Sequence, residues 1–160
     1  MRKEYRSRDI QKIAKVSKDK FINWIRAGII TPKEDASGRG ARRLFSYRNL
    51  IEAIICRELS EYRIETSWMR DIIKKIEKQR WTRDDKPGSF WTYIENEKQR
   101  KAFISLSQND AFVMIAPPDL SNKYCVMAAR STLSAYLEKV DFPNSVIIID
   151  IGKAILEAEG

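Results

Sequence analysis

Residues 16–50 read VSKDKFINWIRAGIITPKEDASGRGARRLFSYRNL, and the succession of elements in this stretch decides the fold. Ser17 stands where a helix N-cap is needed, and Phe21, Trp24 and Ile25 follow at the i, i+3, i+4 spacing of one buried helical face. Gly28 ends that helix. The run Ile29 to Pro32 is short, β-branched and stopped by proline. Its expected partner is Arg42 to Phe45, across a polar loop holding Gly38, Arg39 and Gly40, which makes a two-stranded hairpin with a positive tip. Ser46 restarts helix, with Leu50, Ile51, Ile54 and Ile55 turned inward. The positions expected at the surface include Lys18, Lys20, Asn23, Arg26, Arg39, Arg42, Arg43 and Arg48. So many donors of one sign, on two elements able to converge, suit a polyanion.

Upstream, Ser7 is placed to cap a first helix, in which Ile10, Ile13 and Ala14 recur at helical spacing until Val16 and Ser17 break it. Two short helices about a tight turn have the spacing of a helix-turn-helix, whose second helix enters the DNA major groove. Downstream, the helix opened by Ser46 should end near Tyr62 and the chain should turn over Arg63 to Ser67. A fourth helix then shows Met69, Ile72, Ile73 and Ile76 on one face. Lys74, Lys75 and Lys78 lie outside it, as a solvated face or as phosphate contacts.

Residues 81–89, WTRDDKPGS, read as a linker because Pro87-Gly88 cannot continue a helix. Beyond them the period shortens. Phe90 to Ile94, Phe103 to Leu106, Phe112 to Ala116, Tyr124 to Ala129 and Val146 to Ile151 are β-prone runs. One helix with Leu133, Tyr136, Leu137 and Val140 as its stripe interrupts them. The expected fold is therefore α+β. Residues 1–80 form a winged helix-turn-helix, 81–89 a linker, and 90–160 a small α+β domain with antiparallel strands, for sensing or dimerisation. Phe90, Trp91 and Tyr93 serve as core, as interface or as pocket lining.

Charge divides the chain in the same way. Of the net +8, residues 1–80 hold 21 Lys plus Arg against 11 Asp plus Glu, whereas residues 81–160 hold 9 against 11. This asymmetry favours a nucleic-acid-binding half joined to a half with another task, over a merely solvated basic surface. There is no histidine, and the two cysteines, Cys56 and Cys125, have no metal-ligand spacing and read as small buried hydrophobes. No nucleophile motif, phosphate-binding glycine loop or carboxylate pair supports catalysis, and no cofactor is implied. The start, MRKEYRSRD, lacks the apolar core of a signal peptide, and no apolar run reaches the ~18 residues of a membrane span, so a cytoplasmic protein without membrane contact is expected.

The run VSKDKFINWIRAGIITP followed by GRGARRLFSYRNLIEAI resembles the DNA-binding domain of MerR-type transcription regulators. The shared pattern is Val-Ser at the turn, an aromatic residue and an arginine before Gly-Ile-Ile-x-Pro, a Gly-Arg-rich wing, and an aromatic and a serine before Asn-Leu. It covers about residues 5–79. The resemblance implies a recognition helix at about 17–27, exposing Ser17, Lys18, Lys20 and Asn23, and a wing at about 29–46. It puts Arg39 at the wing tip, Arg42 and Arg43 in the wing, and Tyr47 and Arg48 at the start of the following helix. Trp24 is left as structural.

Wing arginines can fork onto phosphates, while Asn23 either pairs with an adenine edge or is an idle surface amide; Lys20 suits phosphate and guanine alike. The long dimerisation helix of such regulators has no counterpart here, since Pro87-Gly88 stands in its place. A homodimer would have to form through residues 89–160. With one cysteine in that half, a metal effector is not expected; an unidentified small molecule is. The expected function is sequence-specific binding of double-stranded DNA by a transcription regulator. The alternatives are an architectural or excisionase-like DNA-bending protein without effector, and an enzyme with its site in the C-terminal domain.

Overall fold

The computed structural model describes residues 4–34, 42–78, 80–83, 86–89, 95–98, 101, 111–115, 126–129 and 147–159. The fold is mixed α and β. In chain order it runs β1 (Tyr5–Arg6), α1 (Ser7–Ile13), α2 (Lys18–Arg26), β2 (Leu44–Phe45), α3 (Tyr47–Glu61), α4 (Thr66–Lys78), β3 (Arg80–Arg83) and β4 (Lys86–Ser89). After these come β5 (Ala111–Ile115), β6 (Val126–Ala129), β7 (Ile147–Ile149) and α5 (Ile151–Glu159). Two compact units are present, Met1–Arg70 with Glu157–Gly160, and Asp71–Leu156. Both α4 and α5 run across this division.

Helix ends in the first unit follow from local chemistry. At α1 the N-cap is Arg6 and not Ser7, because the Asp9 carboxylate accepts from the Arg6 N–H at 2.8 Å and supplies the cap from inside the first turn. Ser17 does cap α2, its Oγ accepting from the Lys20 N–H at 3.3 Å. That helix closes on Gly28 at φ +67°, with the Gly28 N–H bonded to the Ile25 carbonyl at 3.0 Å and the Ile29 N–H to the Trp24 carbonyl at 2.9 Å. This is a Schellman closure, which needs a left-handed residue at the position glycine holds.

The same closure explains why Ile29 to Pro32 is not a strand. The N–H groups of Ile29 and Ile30 both reach back to the Trp24 carbonyl, at 2.9 and 3.4 Å, and both side chains are buried. Groups spent on finishing a helix are not available to a ladder. Of Arg42 to Phe45, only Leu44 and Phe45 are strand, and they pair elsewhere. Tyr5 faces Phe45 and Arg6 faces Leu44 in an antiparallel pair, and Leu44 also exchanges both backbone hydrogen bonds with Glu34, at 3.2 and 3.1 Å. In place of the expected hairpin with Ile29 to Pro32, Leu44 bridges to Glu34, two residues beyond Pro32, and β2 has the N-terminal strand as its partner. Gly38, Arg39 and Gly40 lie outside the described residues.

The core of the first unit is made by Ile10, Phe21, Ile30, Phe45, Leu50, Ile51, Ile54 and Ile55, all fully buried. Phe21 and Phe45 meet with ring centroids 5.2 Å apart at 55°, a tilted pair that ties α2 to β2. Helix α3 is its centre: Leu50 to Cys56 are buried without interruption, as expected for a helix apolar nearly all round. Burial also takes in Glu52, 2% exposed, and Asn49, 4% exposed.

These two polar residues share a network. Asn49 Oδ1 accepts from the Ser46 N–H at 3.0 Å, closing the cap of α3, and Asn49 Nδ2 donates to the Thr31 carbonyl at 3.0 Å and to Glu52 Oε2 at 2.9 Å. Arg48 Nε donates to Glu52 Oε1 at 2.7 Å. An amide with both donors and its oxygen engaged can be buried at little cost. It fastens the segment after α2 to the start of α3.

Cys56 is fully buried, and burial holds its thiol pKa well above the ordinary range, with the charge of Glu52 adding to the effect. The folded state keeps this proton where the unfolded chain begins to lose it. Its contribution to stability is therefore intact below about pH 8.5 and is lost as pH rises from there toward the folded value. Iodoacetamide is expected to spare Cys56 in the native protein and to modify it in denaturant, as peptide mass mapping will show; prompt native labelling would contradict the burial. Cys125 lies outside the described residues.

The expected fourth helix is α4, which buries Met69, Ile72, Ile73 and Ile76. Residues 81–89 are not a plain linker. Arg80–Arg83 and Lys86–Ser89 pair as an antiparallel hairpin, with Thr82 opposite Pro87. Pro-Gly stops a helix, but an edge strand tolerates proline because its outward side needs no N–H.

In the same unit β5 pairs antiparallel with both β6 and β7. The last run ends as strand at Ile149, since Asp150 accepts from the Lys153 N–H at 2.9 Å and starts α5. Ile151, expected in the strand, is instead the first of a buried stripe with Ala154, Ile155 and Ala158. The runs 90–94 and 103–106 and the helix bearing Leu133 to Val140 lie outside the described residues. Among the described residues no helix is long and apolar enough to cross a membrane.

Candidate nucleic-acid interface

The nine residues of α2 sort sharply by side. Phe21 and Trp24 are buried and Ile22 and Ile25 half-buried, while Lys18, Asp19, Lys20, Asn23 and Arg26 are exposed, as is the cap Ser17. Anchorage of the apolar side through Phe21 makes the polar side a fixed surface. At the helix C-terminus Arg70 Nη1 approaches the Ala27 carbonyl at 3.4 Å, a cation where the helix dipole favours one.

Some cations elsewhere are matched by acids, while others, such as Arg8, Lys12 and Lys15, form no salt bridge with a described residue. Lys33 donates to Glu4 at 2.7 Å, and that hydrogen bond, with the Glu4 charge, raises the lysine pKa. Arg57 reaches Glu157 at 2.9 Å, Glu58 and the Ala14 carbonyl; burial works against its charge, but these carboxylates prevail and its pKa rises. By contrast, none of Lys18, Lys20, Arg26 and Arg42 forms a salt bridge with a described residue. Their charge is left for solvent or for a ligand.

The remaining candidates differ in placement. Arg42 is exposed just before β2, and Arg43 is half-buried with an interaction of its own. Tyr47, at 4% exposure, is a core residue and offers no accessible ring. Arg48 is held against the buried Glu52 and serves the α3 network. The family-like serine and asparagine before leucine, Ser46 and Asn49, thus have a structural task in the capping box. Arg39 lies outside the described residues.

Sequence reasoning passed over Asp19. It is exposed on α2 and stands four residues before Asn23 and seven before Arg26. The helical period that marked Phe21 and Trp24 as buried also puts Asp19, Asn23 and Arg26 on the opposite side. Among the described residues no group of three or more His, Cys, Asp or Glu side chains could hold a metal ion.

Fold and surface together define an α+β protein with an exposed, largely cationic helix face. Comparison of the chain with models of known protein families gives no match, and comparison with curated proteins gives none.

Proposed function

We propose that this protein is a sequence-specific, DNA-binding transcription regulator of MerR type, acting in the cytoplasm. In this reading α1 and α2 are a helix-turn-helix, α2 enters the major groove, and a basic wing at about residues 29–46 meets the phosphate backbone. The observation that carries it is the exposed side of α2, where Lys18, Lys20 and Arg26 have no acidic partner among the described residues while an apolar side locks the helix in place. A surface of that kind lowers its free energy by releasing counterions from a polyanion. The later residues would sense an unidentified small molecule and form a homodimer, which doubles the contacted site.

The test is binding of the full chain to random and genomic duplex fragments over a range of salt. The logarithm of the binding constant should fall linearly with the logarithm of salt, by about 0.9 per phosphate neutralised, and selected fragments should share a site. Absence of salt-dependent binding to any duplex pool would reject the proposal.

A further inference from the structure

We infer that Asp19 is a specificity-determining residue that reads a cytosine in the major groove; the inference rests on the DNA-binding reading above and deepens it. Asp19, Asn23 and Arg26 are all exposed and share one strip of α2. With 1.5 Å of rise per residue the strip spans roughly 10 Å, about three base-pair steps. Lys18 and Lys20 lie roughly 100° to either side of it. A helix laid in the groove with this strip toward the base edges directs its two lysines outward, to the phosphate strands that wall the groove.

An acid at the centre of such a face is the anomaly that needs a reason. The Asp19 carboxylate forms no hydrogen bond or salt bridge with a described residue, and its i+3 and i+4 positions hold Ile22 and Asn23, so no cation stands one turn on in the helix to neutralise it. A carboxylate accepts hydrogen bonds and cannot donate them, and the base donors in the major groove are the amino groups of cytosine and adenine. Adenine sets its N7 acceptor beside that donor, which repels a carboxylate and suits the two-sided amide of Asn23. Cytosine has no acceptor of its own there. The acid therefore selects cytosine, next to a pair selected by Asn23.

The competing account is that Asp19 only favours the helix dipole from the first turn of α2. The two accounts give opposite signs in one experiment. Full-length protein and its Asp19→Asn variant are each used to select from a random duplex pool, and affinities are measured for the selected site and for random DNA. The substitution is isosteric at an exposed position, and loss of the first-turn charge should lower the thermal midpoint by no more than about 4 °C. The expected result is that one C·G position in the wild-type site loses its preference by about ten- to a hundred-fold in the variant, while binding to random DNA is unchanged or tighter. An unchanged selected site, with both DNAs bound more tightly, would overturn the inference and leave the DNA-binding reading standing. If the wild-type chain selects no duplex at all, the DNA-binding reading fails first, and this inference falls with it.

Discussion

Replacing Lys18, Lys20 and Arg42 together by glutamine is expected to lower affinity for random duplex DNA by about 500-fold at 0.1 M salt and to flatten the salt slope by about 2.7. The magnitude comes from counterion release: each phosphate contact contributes about 0.9 to the slope, and at 0.1 M that is nearly a factor of ten in affinity. These three are chosen because they are exposed and form no salt bridge with a described residue, so their removal breaks no ion pair in the protein. Glutamine has nearly the helix propensity of lysine, and the thermal midpoint should stay close to that of the parent. Titration of a labelled duplex at four or five salt concentrations gives both numbers. A slope unchanged by the triple substitution would remove these residues from the contact.

Phe21→Ala should have the largest effect on stability, a loss of about 3–5 kcal/mol. Phe21 is fully buried on the side of α2 away from the cationic face, and its ring lies 5.2 Å from that of Phe45. Truncation forfeits the transfer of an aromatic side chain, leaves a cavity between α2 and β2, and deletes a tilted ring pair of about 1 kcal/mol. Denaturant unfolding followed by tryptophan fluorescence measures the loss, and in a chain of this size the melting point should fall by roughly 10 °C. A loss below about 1 kcal/mol would mean that α2 is anchored by other residues. Set beside the triple variant, this substitution separates contact from support: one set of side chains should change binding at constant stability, whereas the other should change stability itself.

The helices α1 to α4 could be read in the sequence because their signals are local. Ser17 and Ser46 cap the helices they precede, Gly28 closes α2, and the stripes Phe21 with Trp24 and Met69 with Ile72, Ile73 and Ile76 are buried. Caps and periodicity involve residues three or four apart, and those distances are set by helix geometry before any tertiary contact exists. The candidate face on α2 was legible for the same reason, since the exposed side is what remains when the buried side is known. Asp19 was missed because a search for positive charge passes over an acid.

What the sequence by itself determined, then, is where α2 and α3 start and where α2 stops, which side of α2 and α4 turns inward, and the concentration of positive charge in residues 1–80. Only the tertiary structure decided which segments pair. Ile29 and Ile30 have the composition of a strand, yet their N–H groups close α2, and β2 pairs with Tyr5–Arg6, about forty residues away in the chain. The pairing of Arg80–Arg83 with Lys86–Ser89 is likewise a matter of partners, whereas the start of α5 is a local cap, Asp150 accepting from the Lys153 N–H, that the preceding apolar run concealed. Composition also gave no sign that Glu52 would be buried, with Arg48 and Asn49 drawn inward as its partners. A strand's hydrogen bonds and a buried charge's partners come from residues that only folding brings near, so a pattern of neighbours along the chain does not contain them.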